Sequence, residues 1–350
     1  MRFLVSVVVS LSLSSLVLNL NACGGSGATI ATYQGQRNQT FAQFHLFVAN
    51  FGDAEPYVSM YGLRSNKLQQ RINAPFYTQE SIADDAMGRL YVSDRNLSWV
   101  RVYGPKKKYI DYTITQGVVG PAAISLGTDG SLYVMNYSGP PNGSIAVFGP
   151  GEETPERQII DGIHNPAAIS VDSSGTLFVA NTYVSGGDYV TVYPPGGSTR
   201  IATITKGIRS PIALATDAGG RLYVVNTTSS ASTVTVYAPS TFKYIRTISE
   251  GLKLALSLAL DGSGNLYVGN ASNITVYSRG KSKVIRTLYV QGNGGLTEAL
   301  AFDGNGELYA AYEGNDFGGV RIYDPGSDTP SLTIKRKEGV WQPFALAIGP

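Results

Sequence analysis

The chain has 350 residues, 15% of them charged, with 41 glycines, 22 tyrosines, one cysteine and a formal net charge of +2. Low charge with abundant Gly, Tyr, Thr and Val suits a turn-rich β protein. The small net charge, with no basic block beyond Lys106–Lys108, excludes a nucleic-acid binder, and a lone cysteine excludes an internal disulfide.

Residues 1–22 read as a targeting segment: Arg2 is the positive flank, Phe3 to Leu18 an apolar, serine-studded core, and Leu20-Asn21-Ala22-Cys23 the exit. This resembles the bacterial lipoprotein signal, whose final cysteine is acylated and becomes the first residue of the mature chain. The resemblance implies lipidation at Cys23 and an extracytoplasmic protein of the bacterial cell envelope, anchored to a membrane through acyl chains. Cys23 being the sole cysteine agrees with that role. An ordinary secretory signal cleaved near Ala22 or Ala28 is the alternative. Residues 23–45 have too few apolar positions to fold alone and read as a flexible tether.

From residue 46 to 350 the chain repeats. A Leu-aromatic-Val/Ala strand begins at Leu46, Leu90, Leu132, Leu177, Leu222, Leu266 and Leu308, at spacings of 44, 42, 45, 45, 44 and 42 residues. Each is followed by a strand of the VTVY kind, whose alternating apolar positions predict half burial. Next comes a Pro/Gly turn and a third strand rich in Ile, Thr and basic residues, predicted as an outer edge protected by its charges. A fourth strand precedes six of the Leu-aromatic strands: Ser81–Asp84, Ala122–Leu126, Ala167–Val171, Ile212–Thr216, Leu256–Leu260 and Glu298–Phe302. The seventh copy is Phe344–Ile348, so the C-terminal strand is predicted to complete the N-terminal unit and close a ring. The prediction is an all-β, seven-bladed β-propeller of four-stranded antiparallel blades. An open solenoid would not need that closure. The LYVxN and VTVY strands, with an Asp-x-x-Gly turn before the first, resemble the NHL and YVTN-type repeats of bacterial extracytoplasmic propellers. That resemblance implies fold strongly and function weakly, since such propellers include binding scaffolds, lactonases and lyases.

The recurrent Asp turns, such as Asp172-Ser-Ser-Gly175, offer one carboxylate each and read as structural and not as calcium loops. The recurrent Asn50, Asn136, Asn181, Asn226 and Asn270 read as hairpin starters that bond their own backbone. Function is sought where blades differ. The loops QGVVGP, DGIHNP, KGIRSP, EGLKLA and EGVWQP hold Val119, His164, Arg209, Lys253 and Trp341 in one column, predicted to share a rim with the hairpins. Tyr312 replaces the recurrent Asn in the last blade, and Asp94 does so in another. Longer hairpins are expected to bring Tyr183, Asp188, Asp316 and Phe317 to the same rim.

Glu80 and Glu298 stand where other inner strands carry Ala or a bulky apolar residue, in the two blades flanking the first. As a pair they would hold a divalent metal or divide acid and base roles; as a surface feature they are two solvated rim charges. A Glu, Asn and Asp set like that of metal-dependent lactonase propellers is not complete here. For a lyase of the streptogramin-lyase kind, His164 is the one candidate. No nucleophile elbow, phosphate loop or metal-spaced His/Cys cluster occurs. The leading expectation is a monomeric, non-enzymatic scaffold without a cofactor, binding a protein, peptide or carbohydrate through Glu80, Glu298, His164, Arg209, Lys253, Trp341 and Tyr312. The alternative is a hydrolase or lyase at the channel mouth.

Overall fold

The computed structural model describes residues 44–350 apart from 52–55, 74–78, 140, 183–186, 291–294 and 315–317, and gives residues 73, 79 and 80 as backbone alone. Its strands form seven four-stranded antiparallel sheets. From the axis outward, the inner strands are Gln79–Asp84, Pro121–Leu126, Pro166–Val171, Pro211–Thr216, Ser257–Leu260, Leu296–Phe302 and Pro343–Gly349. The second strands are His45–Asn50, Leu90–Asp94, Leu132–Asn136, Leu177–Asn181, Leu222–Thr227, Leu266–Gly269 and Leu308–Glu313. Third strands end in an aromatic residue, as in Tyr57–Gly62 (one residue beyond it), Trp99–Tyr103 and Tyr189–Tyr193, and short outer strands such as Ala202–Ile204 and Tyr244–Ile248 complete each blade. Blades are numbered from the one containing His45–Asn50. Inner strands neighbour one another in a closed circuit, that of blade 1 lying between those of blades 7 and 2. The one helix among the described residues is a single 3-10 turn, Arg336–Glu338.

Ring closure is as predicted: Pro343–Gly349 pairs antiparallel with His45–Asn50, Phe47 opposite Ala347. The middle strands depart from the half-buried expectation. Leu177–Asn181 is buried throughout, and so is Val190–Tyr193, because each blade is covered on both faces by its neighbours. Polar Thr191 is tolerated at 0% exposure because its hydroxyl bonds the Asn181 amide and the Val179 carbonyl. The outer strands are free edges, yet their basic residues do more than repel other chains. Arg71 lies 4.4 Å over the Tyr57 ring, and Arg157 and Arg246 sit in sheet rows with Tyr133 and Tyr223.

Three repeated devices hold the blades. The turn aspartates behave as expected: Asp172 Oδ1 accepts the N–H of Ser174 and of Thr176, each at 2.9 Å. The left-handed glycine ending the turn (Gly175, φ 86°) packs on Pro195 of the next turn, a contact repeated by Gly88 with Pro105 and Gly220 with Pro239. Tyrosines closing third strands donate to carbonyls of the preceding crossover, Tyr237 to Lys206 at 2.6 Å and Tyr61 to Glu338 at 2.8 Å.

Blade 1 has a further lock. Lys107, 2% exposed, places Nζ 2.8 Å from Asp84 Oδ2, against the carbonyls of Gly88 and Pro350, and 5.0 Å over the Phe47 ring. Burial outweighs the attraction of Lys107 and pushes the Asp84 carboxyl up to about 7. Removing one partner strands the other in a dry site. Lys107→Met is therefore expected to cost about 3–5 kcal/mol in a denaturant titration, with Lys107→Met/Asp84→Asn recovering most of that loss.

Candidate functional site

The rim where inner strands begin is built by one rule. In five blades the Asn that ends the second strand donates Nδ2 inside the blade and accepts through Oδ1 the N–H of the variable crossover residue. Asn136 takes Val119 N–H at 2.9 Å, Asn181 takes His164 at 2.9 Å, Asn226 takes Arg209 at 3.0 Å, Asn270 takes Lys253 at 3.2 Å and Asn50 takes Trp341 at 2.9 Å. The recurrent Asn is thus structural, as expected. Its bond, however, staples the hairpin to a loop 17 residues upstream in four blades and does not merely start a turn.

The residue after each variable one is left-handed: Gly120 (φ 59°), Asn165 (45°), Ser210 (48°), Leu254 (49°) and Gln342 (44°). For Leu254 this costs on the order of 1–2 kcal/mol, offset by the bonds that fix the loop. Five side chains are therefore presented from backbones that hardly differ. Arg209 and Lys253 are exposed, and His164 is half-buried. Trp341 is not a free rim aromatic: it is 9% exposed, with the Arg336 guanidinium stacked 3.5 Å from its ring centre. Asp188 lies on this rim and accepts Ser210 N–H of the next blade at 2.6 Å. Tyr183, Asp316 and Phe317 lie outside the described residues.

Blades 2 and 7 break the rule. Asp94 accepts Leu97 N–H at 2.8 Å and so closes its own hairpin. Tyr312 is 6% exposed and packs beneath Arg321, whose guanidinium lies 5.4 Å from the ring centre.

Glu298 occupies the bulge of the blade 7 inner strand, between Thr297 and Ala299. The same bulge holds Ala122, Ala167, Ile212 and Phe344 elsewhere, all at most 5% exposed. Glu298 is itself 4% exposed, and its Oε1 has no hydrogen-bond partner. It is therefore not a solvated rim charge. Burial, with the nearby Glu313 carboxylate adding to it, pushes Glu298 up to about 8. Burial raises Glu313 as well. Burial in this bulge thus favours the neutral, protonated form of the Glu298 carboxyl.

The acidic neighbour that bears on Glu298 is Glu313, which sequence reasoning missed. Its one signal was position, directly after the exceptional Tyr312. Glu80 lies on the blade 2 inner strand, and the blade 1 inner strand stands between it and the strand of Glu298. Among the described residues no three His, Cys, Asp or Glu side chains group closely enough to hold a metal ion.

No known family profile and no curated protein sequence matches the chain. Solved structures do. Hydrazine synthase of Kuenenia stuttgartiensis aligns with a TM-score of 0.66 at 17% identity, over 77% of this chain and 89% of that one. A chain of the nidogen/laminin complex aligns with a TM-score of 0.55 at 16% identity, over 88% of this chain and 98% of that one. At such identities the likeness is one of fold, and with the blade topology it makes this chain a seven-bladed β-propeller.

Proposed function

We propose that this protein is a binding propeller without catalytic activity, held by acyl chains at Cys23 on an extracytoplasmic membrane face, that takes a protein, peptide or carbohydrate ligand on the crossover-loop rim. One observation carries the binding reading: the Asn staple fixes the loop backbone in five blades while the residue it presents changes from Val119 to His164, Arg209, Lys253 and Trp341. A constant frame with variable side chains is how a rigid scaffold builds a recognition surface. The recurrent polar groups are used up inside the scaffold, leaving recognition to the exceptions. The anchor rests on the Leu20–Cys23 sequence, and each buried methylene of an acyl chain adds about 0.8 kcal/mol to membrane attachment.

A second reading, a hydrolase or lyase at the channel mouth, is favoured by Glu298 alone. A carboxyl that holds its proton at neutral pH beside a second carboxyl has the character of a general acid.

Three outcomes follow. On peptide and glycan arrays, ligands retained by the full chain are expected to be lost with Arg209→Ala/Lys253→Ala, the two exposed rim cations; retention by that variant contradicts the rim site. Cys23→Ala is expected to abolish palmitate labelling and membrane partitioning, and a variant that still labels rules out the anchor. Glu298 sits near 8 in the folded chain against 4.5 when unperturbed, so the folded state must keep a proton that the unfolded chain releases. Stability contributed by this site is then intact at acid pH and falls as pH rises from about 4.5 to about 8. Glu298→Gln should flatten that fall and exceed the parent's stability at pH 8 by on the order of 2 kcal/mol, as read by denaturant titrations across pH.

A further inference from the structure

The rim opposite the crossover loops carries the Asp turns and the turns from third to outer strands, and it is where the chain enters the propeller. His45, first residue of the blade 1 second strand, pairs there with Gly62 and Gly349, the last residues of the third and inner strands. Residues 24–43 separate Cys23 from Phe44. An anchor at Cys23 therefore draws this rim, before the other, toward a membrane.

Beside that entry, blade 2 turns three successive lysines in different directions. Lys107 points inward over the Phe47 ring of the entry strand and bonds the Gly88 carbonyl, and Gln70 of blade 1 donates to the Lys107 carbonyl at 2.7 Å. The turn of residues 104–109 is thereby pinned next to the entry, with Lys106 and Lys108 exposed on either side of the buried lysine. Tyr109 is 72% exposed, with the Lys108 ammonium 5.3 Å from its ring centre. Met87, 69% exposed, stands in the adjoining Asp turn, whose Gly88 packs on Pro105. Among the described residues only three large hydrophobic side chains are more than two-thirds exposed, and two of them meet here. The third, Tyr289, ends the blade 6 outer strand toward the crossover rim.

Charge limits the patch to one edge of the ring. Lys67 adds an exposed cation in the matching turn of blade 1, and Asp111, near Gly104, is the acid that opposes the lysines. The flanking turns are acidic, with Glu152 and Glu153 in blade 3 and Asp324 and Asp328 in blade 7. Another cationic turn, residues 279–283 of blade 6, lies beyond blade 7 and away from the entry. We propose that Met87, Lys106, Lys108 and Tyr109 dock on an anionic lipid surface, as a second membrane contact that rests on the acyl anchor at Cys23. Each lysine brought to an anionic bilayer adds about fivefold in affinity. The Tyr109 ring and the Met87 side chain suit the headgroup boundary, where an apolar body is covered while polar tips and ammonium groups stay wet. The anchor makes this contact intramolecular, so a small patch suffices. Docked in this way, the variable side chains of the crossover-loop rim face away from the bilayer.

The test is hydroxyl-radical footprinting of the full chain on vesicles of mixed phosphatidylglycerol and phosphatidylcholine, and on phosphatidylcholine alone. The anchor is expected to float the chain with both. On the anionic vesicles alone, oxidation of Met87 and Tyr109 should fall several-fold relative to Tyr289, which is as exposed but lies toward the other rim. Lys106→Glu/Lys108→Glu should restore both oxidation rates while flotation persists, and Lys281→Glu/Lys283→Glu should alter neither. A chain that does not float with neutral vesicles lacks the anchor and takes the proposal down with it. A chain that floats but oxidises Met87 and Tyr109 alike on both lipids overturns the docking surface alone, as does protection that survives Lys106→Glu/Lys108→Glu. Protection that arises in neutral detergent and grows with protein concentration marks a second copy on this patch and overturns it too.

Discussion

The structure depends on one pairing between segments almost the whole chain apart. His45–Asn50 has no inner partner from its own neighbourhood in sequence, and Pro343–Gly349 supplies it. Until that strand docks, blade 1 has three strands and the inner circuit is open. The loop that must close is as long as the propeller, and such a closure is entropically costly although it rises only slowly with length. Lys107 answers that cost at the seam, where its ammonium gathers the Asp84 carboxylate of blade 2 and the Pro350 carbonyl of blade 1. Arg64, itself largely exposed, pairs with Glu307 at 2.6 Å between blades 1 and 7, a contact that solvent screens and that weighs less than the buried lysine.

Within the closed ring, polar chemistry divides into the repeated and the singular. The repeated groups, turn Asp, strand-end Asn and closing Tyr, are consumed by backbone amides and carbonyls that would otherwise be buried unsatisfied. The singular ones gather on the crossover-loop rim, with its variable side chains and the buried Glu298. There the chemistry arises from departures from the repeat.

Much of the fold was legible because a period near 44 residues places every strand by analogy with its neighbours. The C-terminal inner strand was legible by subtraction, since one copy was missing at the start. Properties that depend on what lies across a blade interface were not legible. Lys107 reads in sequence as one of three successive lysines, yet only the fold shows it buried against Phe47. Trp341 reads as an exposed aromatic, but Arg336, five residues upstream, covers it. Glu298 stood out by composition, whereas its burial and its neighbour Glu313 come from the bulge and the register of the Leu296–Phe302 and Leu308–Glu313 pair.

The Asn staple has a consequence for how this surface can change. The Oδ1 acceptor holds a backbone N–H, so the staple is blind to the side chain it presents. Any residue with an amide hydrogen satisfies it, and proline alone does not. The exposed positions around this rim, Val119, Arg209 and Lys253 among them, are therefore open to substitution while the loop backbone stays fixed, an arrangement in which specificity can drift or be engineered by single exchanges without refolding the loops that carry them.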